Sequence, residues 1–516
     1  FNTRTGAVTL SAADVNTAFN TTDAVINGVT VGRGANSVAG NTSLGDDALD
    51  AAVTGDKNTA VGFEALTANT SGARNTSVGS ESLESNTTGT DNTALGRGTL
   101  SSNVSGSFNT AIGKSALTVN TANNNTAVGH QSLDANTTGT NNVAVGMDSL
   151  TANTEGHSNT AVGSEAGDAL TTGDENVALG HGALDGTTTG NGNTAVGTDA
   201  LGKSDYNASY NTAVGYNAML NATTATGTTA IGTQALNTLI SGIDNTAVGS
   251  AALYSNTTGT KNTAVGRETL HANTTGTENT ALGYVALQDN TTGVNNVALG
   301  RAAIGNNIDG NNNSAVGHNA LRLNTTGDFN AALGISALYN NVSNYNTAVG
   351  GNALTANTDG ADNVAIGHDA LKTNTTVSKN TAVGKAAMEL TTTGGENTAI
   401  GYSALYANTT GPYNVAVGRS ALSANTVGNR NVAVGYQSMG SGINVGQKNI
   451  AIGYQAGLPI TSGVRNVIVG DEAGLAMTTG GTNTIVGTEA GKSIVTTGDN
   501  TIVGNEAGKL NTSTLT

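Results

Sequence analysis

The 516-residue chain has no cysteine and no tryptophan, only two prolines and five phenylalanines, and aromatic residues make up 3% of it. Without cysteine there is no disulfide framework and no thiolate metal site. With so few large apolar side chains there is too little material for several thick globular cores, although the length would ordinarily serve two to four domains. Charged residues are also scarce, at 11%, and their balance is −16. That balance argues against a nucleic-acid binder, which would carry a basic stripe. No apolar run approaches the roughly 20 residues needed to cross a bilayer. The chain opens on Phe1 with no leader-like segment, the pattern of a piece processed from something longer.

What the chain has in abundance is glycine, 72 residues, together with asparagine, threonine and alanine. These are arranged with a period. The glycine closing each "AVG", "AIG" or "ALG" recurs at Gly45, Gly62, Gly79 and Gly96 and onward to Gly487 and Gly504. The span of 459 residues is 27 intervals of 17, so the chain writes 28 copies of a 17-residue unit. Two intervals of 16, into Gly129 and Gly350, cancel two of 18, into Gly215 and Gly453. A disordered chain has no reason to hold such a register, and a short period held over most of a sequence marks a repeat architecture.

The unit reads N-T-A-V-G-x-x-A-L-x-x-N-T-T-G-x-x, numbered here from its first Asn as positions 1 to 17. Position 4 is Val, Ile or Leu and position 2 is Thr or Val, so the two share one face of a short strand. Position 3, usually Ala, makes the opposite face small, and Leu at position 9 forms a second apolar ladder. Gly at positions 5 and 15, with Asn and Thr beside the second, is turn chemistry, whereas a helix would lose several kcal/mol per unit in propensity, roughly. Positions 6, 7, 16 and 17 vary, collect the charges and should face water. Each unit is therefore expected to be one coil of strand, turn, strand and turn. The coils stack in parallel about 4.8 Å apart, with amide ladders from the Asn columns at positions 1 and 12. The expected class is an all-β parallel β-solenoid, or β-roll, of 17-residue coils. A coil this thin is poorly covered alone, so the Ala face and the Leu ladder are expected to pack against further copies in a homotrimer, forming an elongated fibre.

The repeat resembles the β-repeat shafts of trimeric bacteriophage tail fibres. It is also similar to the head repeats of trimeric autotransporter adhesins, whose shorter "SxAIG" units form a parallel β-roll. The opening "FNTRTGAVTLSAADV", Phe1 to Val15, looks like a segment found upstream of shaft repeats in phage tail proteins. The resemblance implies a structural shaft in the virion tail, outside the cell, that presents a host-recognition tip and joins an upstream virion or fibre component at its N-terminus. A trimeric bacterial surface adhesin or extracellular filament subunit, whose rod itself contacts host cells or matrix, is the alternative. Such fibres often end in a trimerising chaperone domain, and nothing like one follows Gly504.

Three regions are expected: a cap or connector over 1–40, regular coils over 41–452, and variant coils with the C-terminal end over 453–516. In the last four repeats Gly replaces Leu at position 9, in "YQAG", "DEAG", "TEAG" and "NEAG", and in the last three Ile replaces Ala at position 3. The cross-section should therefore change near Gly453.

Chemical motifs are few. "GTDALGKS", Gly197 to Ser204, matches a phosphate loop literally, but its first Gly is the repeat Gly and no βαβ pattern surrounds it. His130, His181, His318 and His368 occupy position 6 in scattered repeats and imply no metal cluster. No regular carboxylate pair or Ser/His/Asp grouping points to an enzyme, and no cofactor is expected. The paired Thr at positions 13 and 14 fall in a turn rather than on a flat ice-binding face. Tyr216, Tyr284, Tyr402, Tyr436 and Tyr454, all at position 6, are the residues that could contact a host-surface glycan or an outer-membrane receptor. The competing reading is amphipathic cover for the turn beneath.

Overall fold

The computed structural model describes residues 24–26, 29–203 and 207–510. The opening segment Phe1 to Val15 and Ser204 of the phosphate-loop match lie outside the described residues. The chain divides into two compact halves, 1–258 and 259–516. Each half is a parallel β-solenoid.

In the N-terminal half, β1 (Ala24–Ile26) and β2 (Val29–Gly32) form an antiparallel hairpin, and β2 also pairs antiparallel with β3 (Thr42–Gly45). From β3 onward every pairing is parallel and in register. Thr42 faces Thr59, Ser43 faces Ala60 and Leu44 faces Val61, and the pattern repeats to Thr246–Val248. The C-terminal half repeats it from Thr263–Val265 to Thr501–Val503. The hairpin matters because an open edge of a parallel sheet is a template for unwanted pairing. Here β2 covers it.

Each coil holds one strand of three residues at positions 2 to 4, and the expected second strand around position 9 does not form. The backbone explains this. Positions 7 and 9 take left-handed φ in coil after coil, as at Glu64 (φ 53°), Leu66 (55°), Glu81 (59°) and Leu83 (50°). A left-handed residue breaks the extended path, so positions 6 to 11 run as turns. Inter-coil hydrogen bonding continues through them nonetheless: Leu66 N donates to Ser82 O at 3.0 Å, and Leu83 N to Thr99 O at 2.9 Å.

The faces expected to pack against further copies lie inside the coil. The Ala face at position 3 and the Leu ladder at position 9 are buried within the single chain, as Ala60, Ala94, Leu66 and Leu83 show at 0% exposure. They meet across the coil interior and are not available to another copy. The bulkier position 4 points outward, with Leu95 at 47% and Leu333 at 50% exposed. The reason is width: Leu at 9 and Asn at 12 project inward from the turn side, leaving room for only a methyl from the strand.

The two Asn columns are the polar part of that interior. At position 1, Asn75 N donates to Asn58 Oδ1 at 3.0 Å, and Asn58 Nδ2 donates to Gly72 O at 2.9 Å. At position 12, Asn86 Nδ2 donates to Asn69 Oδ1 at 2.9 Å and Asn103 Nδ2 to Asn86 Oδ1 at 3.0 Å. A buried amide left unpaired costs about 1–3 kcal/mol, so the columns are stable only while each member has a successor. Where the sequence breaks the position-12 column, the amide before the break loses its partner. Asn153 Oδ1 precedes Leu170 and Asn374 Oδ1 precedes Thr391, and both oxygens are buried and unpaired.

Gly at position 5 is required on two counts. Its φ lies near +135°, and a Cβ there would meet the next coil's backbone, as at Gly283, 2.6 Å from Gly300 O.

Candidate interaction surfaces

Two surfaces repeat along each half. The first is the outward strand face, positions 2 and 4. Across all the repeats these two positions hold only Thr, Val, Ser, Ala, Ile and Leu, with no charged residue. In the C-terminal half the Leu and Ile members of the position-4 ladder, Leu282, Leu299, Leu333, Ile366, Ile400 and Ile452, are 37–50% exposed. Column 6 on one side and column 17 on the other supply charges, so the face is an uncharged strip, apolar along position 4, with a charged rim. The sequence shows this strip but not which way it faces, because nothing in a T-A-V alternation says which face is in.

The second surface is a groove between columns 6 and 10, floored by column 7. The five tyrosines proposed from sequence lie on one wall of it. Tyr436 and Tyr454 stack on each other with ring centroids 5.3 Å apart and planes 8° from parallel. Arg419, from the coil between Tyr402 and Tyr436, lies 5.6 Å from one ring centre and 5.7 Å from the other. Tyr284 is held between Arg267 at 5.8 Å and Arg301 at 5.9 Å. Tyr216 stands exposed, with Thr198 and Thr233 before and after it in the column.

Parallel stacking at the coil spacing directs the ring faces along the column, so the two faces of Tyr284 and of Tyr436 are taken by neighbours within the chain. Their edges and hydroxyls remain for a ligand. The arginines of this ladder were missed in the sequence. The signal that would have found them is residue identity at 17-residue spacing: Arg267, Tyr284 and Arg301, then Tyr402, Arg419 and Tyr436.

In the C-terminal half this groove widens into clefts, two of which are lined by described residues. One, of about 440 Å³, is lined by Lys385, Glu389, Tyr402, Ser403, Tyr406 and Ser420 among others. The other, of about 390 Å³, lies between Tyr284 and Arg322. In the N-terminal half the same columns are acidic. Asp185 there is pushed up to about 6, first by burial and then by the charges of Asp168, Asp199 and Glu165. Burial also raises Asp168. His181 lies 3.9 Å from Glu165, and among the described residues no set of three His, Cys, Asp or Glu is placed to hold a metal ion.

The threonines at position 13 are engaged by the stack itself. Thr70 Oγ1 donates to Thr87 O at 3.0 Å and Thr87 Oγ1 to Val104 O at 3.1 Å. No known family model matches the chain, and no curated protein matches it.

Proposed function

We propose that this chain is the structural shaft of a trimeric viral tail fibre, a virion component outside the cell that carries a host-recognition tip. The observation that carries the reading is the outward strand face: a charge-free strip, apolar along position 4 and mostly Thr along position 2, recurring in every coil of both halves, with a charged rim. Contiguous exposed apolar surface of this kind marks an interaction site. A partner covering it along a whole half needs the same periodicity as the coils, and a second and third copy of the chain have that by construction. A standard interface takes about 800 Å² per partner, and a ladder of fifteen half-exposed position-4 side chains in the C-terminal half offers an area of that order. The trimer interface thus moves from the Ala and Leu ladders to positions 2 and 4.

The mechanism is mechanical. In-register backbone ladders and the two amide columns resist bending, and the charged outer columns keep the assembly in solution. No cofactor, nucleic acid or membrane insertion enters the reading. The test is mass in solution by light scattering, on the wild type and on a Val349→Lys/Val383→Lys variant. A wild-type mass three times that of one chain, falling to that of one chain in the variant with unchanged circular dichroism, is the expected result. A wild-type monomer defeats the trimer. The grooves favour a second reading, a trimeric bacterial surface adhesin or filament subunit whose repeats themselves bind host cells or matrix. Binding of a tip-less repeat chain to host cells would favour it over a passive spacer.

A further inference from the structure

The groove between columns 6 and 10 carries opposite charge in two stretches, one in each half. From Asp46 to Asp199, positions 6, 7 and 10 hold twelve carboxylates against two cations, Arg97 and Lys114. From Arg267 to Ser423 the same positions hold six cations against three carboxylates, with three histidines besides. In a chain of net charge −16, that reversal concentrates positive charge in one place.

Two of those three carboxylates are already engaged, Glu268 by Arg267 at 2.8 Å and Asp369 by Lys372 at 3.2 Å. Arg301 and Arg322 have no carboxylate partner among the described residues, and both line the 390 Å³ cleft. Around them stand Tyr284, Gln288, His318, Asn319 and Glu268, the last at the edge where Arg267 and the Gln288 amide hold its carboxylate. The cleft thus pairs two guanidinium forks with amides and a phenol, and its one carboxylate, Glu268, is neutralised by Arg267. Its volume falls within the range of small-molecule sites and exceeds what one inorganic anion fills.

We propose that this cleft binds a carboxylated oligosaccharide. The carboxylate is held by Arg301 and Arg322, whose planar forks match its two oxygens. Gln288 and Asn319 take sugar hydroxyls through their amides. Three alternatives fit less well. Single-stranded nucleic acid needs an open aromatic face for its bases, and both faces of Tyr284 are covered by Arg267 and Arg301. A neutral sugar leaves the charge of two guanidinium groups without a carboxylate partner unmatched. A second copy of the chain has no charged residue on its outward strand face to offer the two arginines. The proposal stands independently of the shaft reading, since a monomer would carry the cleft equally.

The test is isothermal titration of the intact chain with tetragalacturonate, with neutral maltotetraose and inorganic phosphate as comparison probes. Tetragalacturonate is expected to bind, weakening as salt rises, and Arg301→Gln/Arg322→Gln is expected to lose about tenfold or more in affinity. Arg97→Gln/Lys114→Gln, an equal change of charge in the other half, should leave binding unaltered. Arg301→Lys/Arg322→Lys keeps both charges and guards against a folding defect, and it should fall between wild type and the Gln pair. The proposal is overturned if tetragalacturonate fails to bind or if maltotetraose or phosphate binds as tightly. An equal loss in the Arg97/Lys114 control overturns it too.

Discussion

The regular coils and the last four build one backbone from different interiors. In the coil from Asn58 the interior holds Ala60, Leu66 and Asn69, whereas in the coil from Asn466 it holds Ile468, Gly474 and Met477. Position 9 is left-handed in both, φ 55° at Leu66 and 59° at Gly474. A non-glycine residue there costs roughly 1–2 kcal/mol, so Gly relieves the backbone. The volume it gives up returns at position 12 in Ile460, Met477 and Ile494 and, in the last three coils, at position 3. A Cβ on Gly457 would lie 2.9 Å from Ile460 Cδ1 and 3.0 Å from Ile468 Cδ1, so the space is already filled. The same exchange occurs once in the N-terminal half, where Gly167 accompanies Leu170. The cross-section expected to change near Gly453 therefore keeps its strand register and changes its filling. Conserved interior volume, rather than conserved residues, sets the coil.

What the two regions share is the position-5 glycine, and breaking it should have the largest effect. Gly283→Ala combines a forbidden φ with a backbone clash and should cost at least about 3 kcal/mol, read as a lowered denaturant midpoint with new protease cleavage near residue 283. Next comes the variant filling. Ile468→Ala removes the side chain packed over Gly457 and Gly474 and should cost about 2–4 kcal/mol, whereas Ile452→Ala on the outward face of the preceding strand should cost under half as much. Equal losses would mean that Ile452 is covered as completely as Ile468.

The exchange itself can be tested by a double-mutant cycle in a regular coil. Ala399→Ile overpacks and Leu405→Gly leaves a cavity, and the pair together should be less harmful than the sum by about 0.5–3 kcal/mol in thermal melts. Strict additivity would refute the exchange of volume between positions 3 and 9.

The smallest effect concerns charge. Asp185 titrates near 6 in the folded chain, above its ordinary value, so folding disfavours its ionised form. The penalty is full above pH 6 and disappears as pH falls toward the unfolded value near 4. Lowering pH from 7 to 5 should therefore raise the melting temperature slightly. Asp185→Asn should raise it at pH 7 and flatten the trend. A variant with the wild-type pH trend would show that Asp185 is not its source.

Much of this was legible in the sequence because each coil must repeat its neighbour. An identical residue every 17 positions becomes a ladder whatever the coil's shape, so the parallel solenoid, the Asn columns and the glycine turns follow from the period. The turn path was not legible, because left-handed φ at residues such as Leu66 and Glu64 runs against local preference and is held by burial and inter-coil hydrogen bonds. Nor was the Tyr–Arg ladder, which exists only once Tyr402, Arg419 and Tyr436 are stacked.

By itself the sequence determined the period, the fold class and the residues that form columns. Only the tertiary structure decided which face of the strand is inside. Both faces of a T-A-V strand are largely uncharged, so transfer from water favours burying the larger one. The opposite wall, with Leu at position 9 and Asn at position 12, leaves space for the smaller, and close packing overrules hydrophobicity.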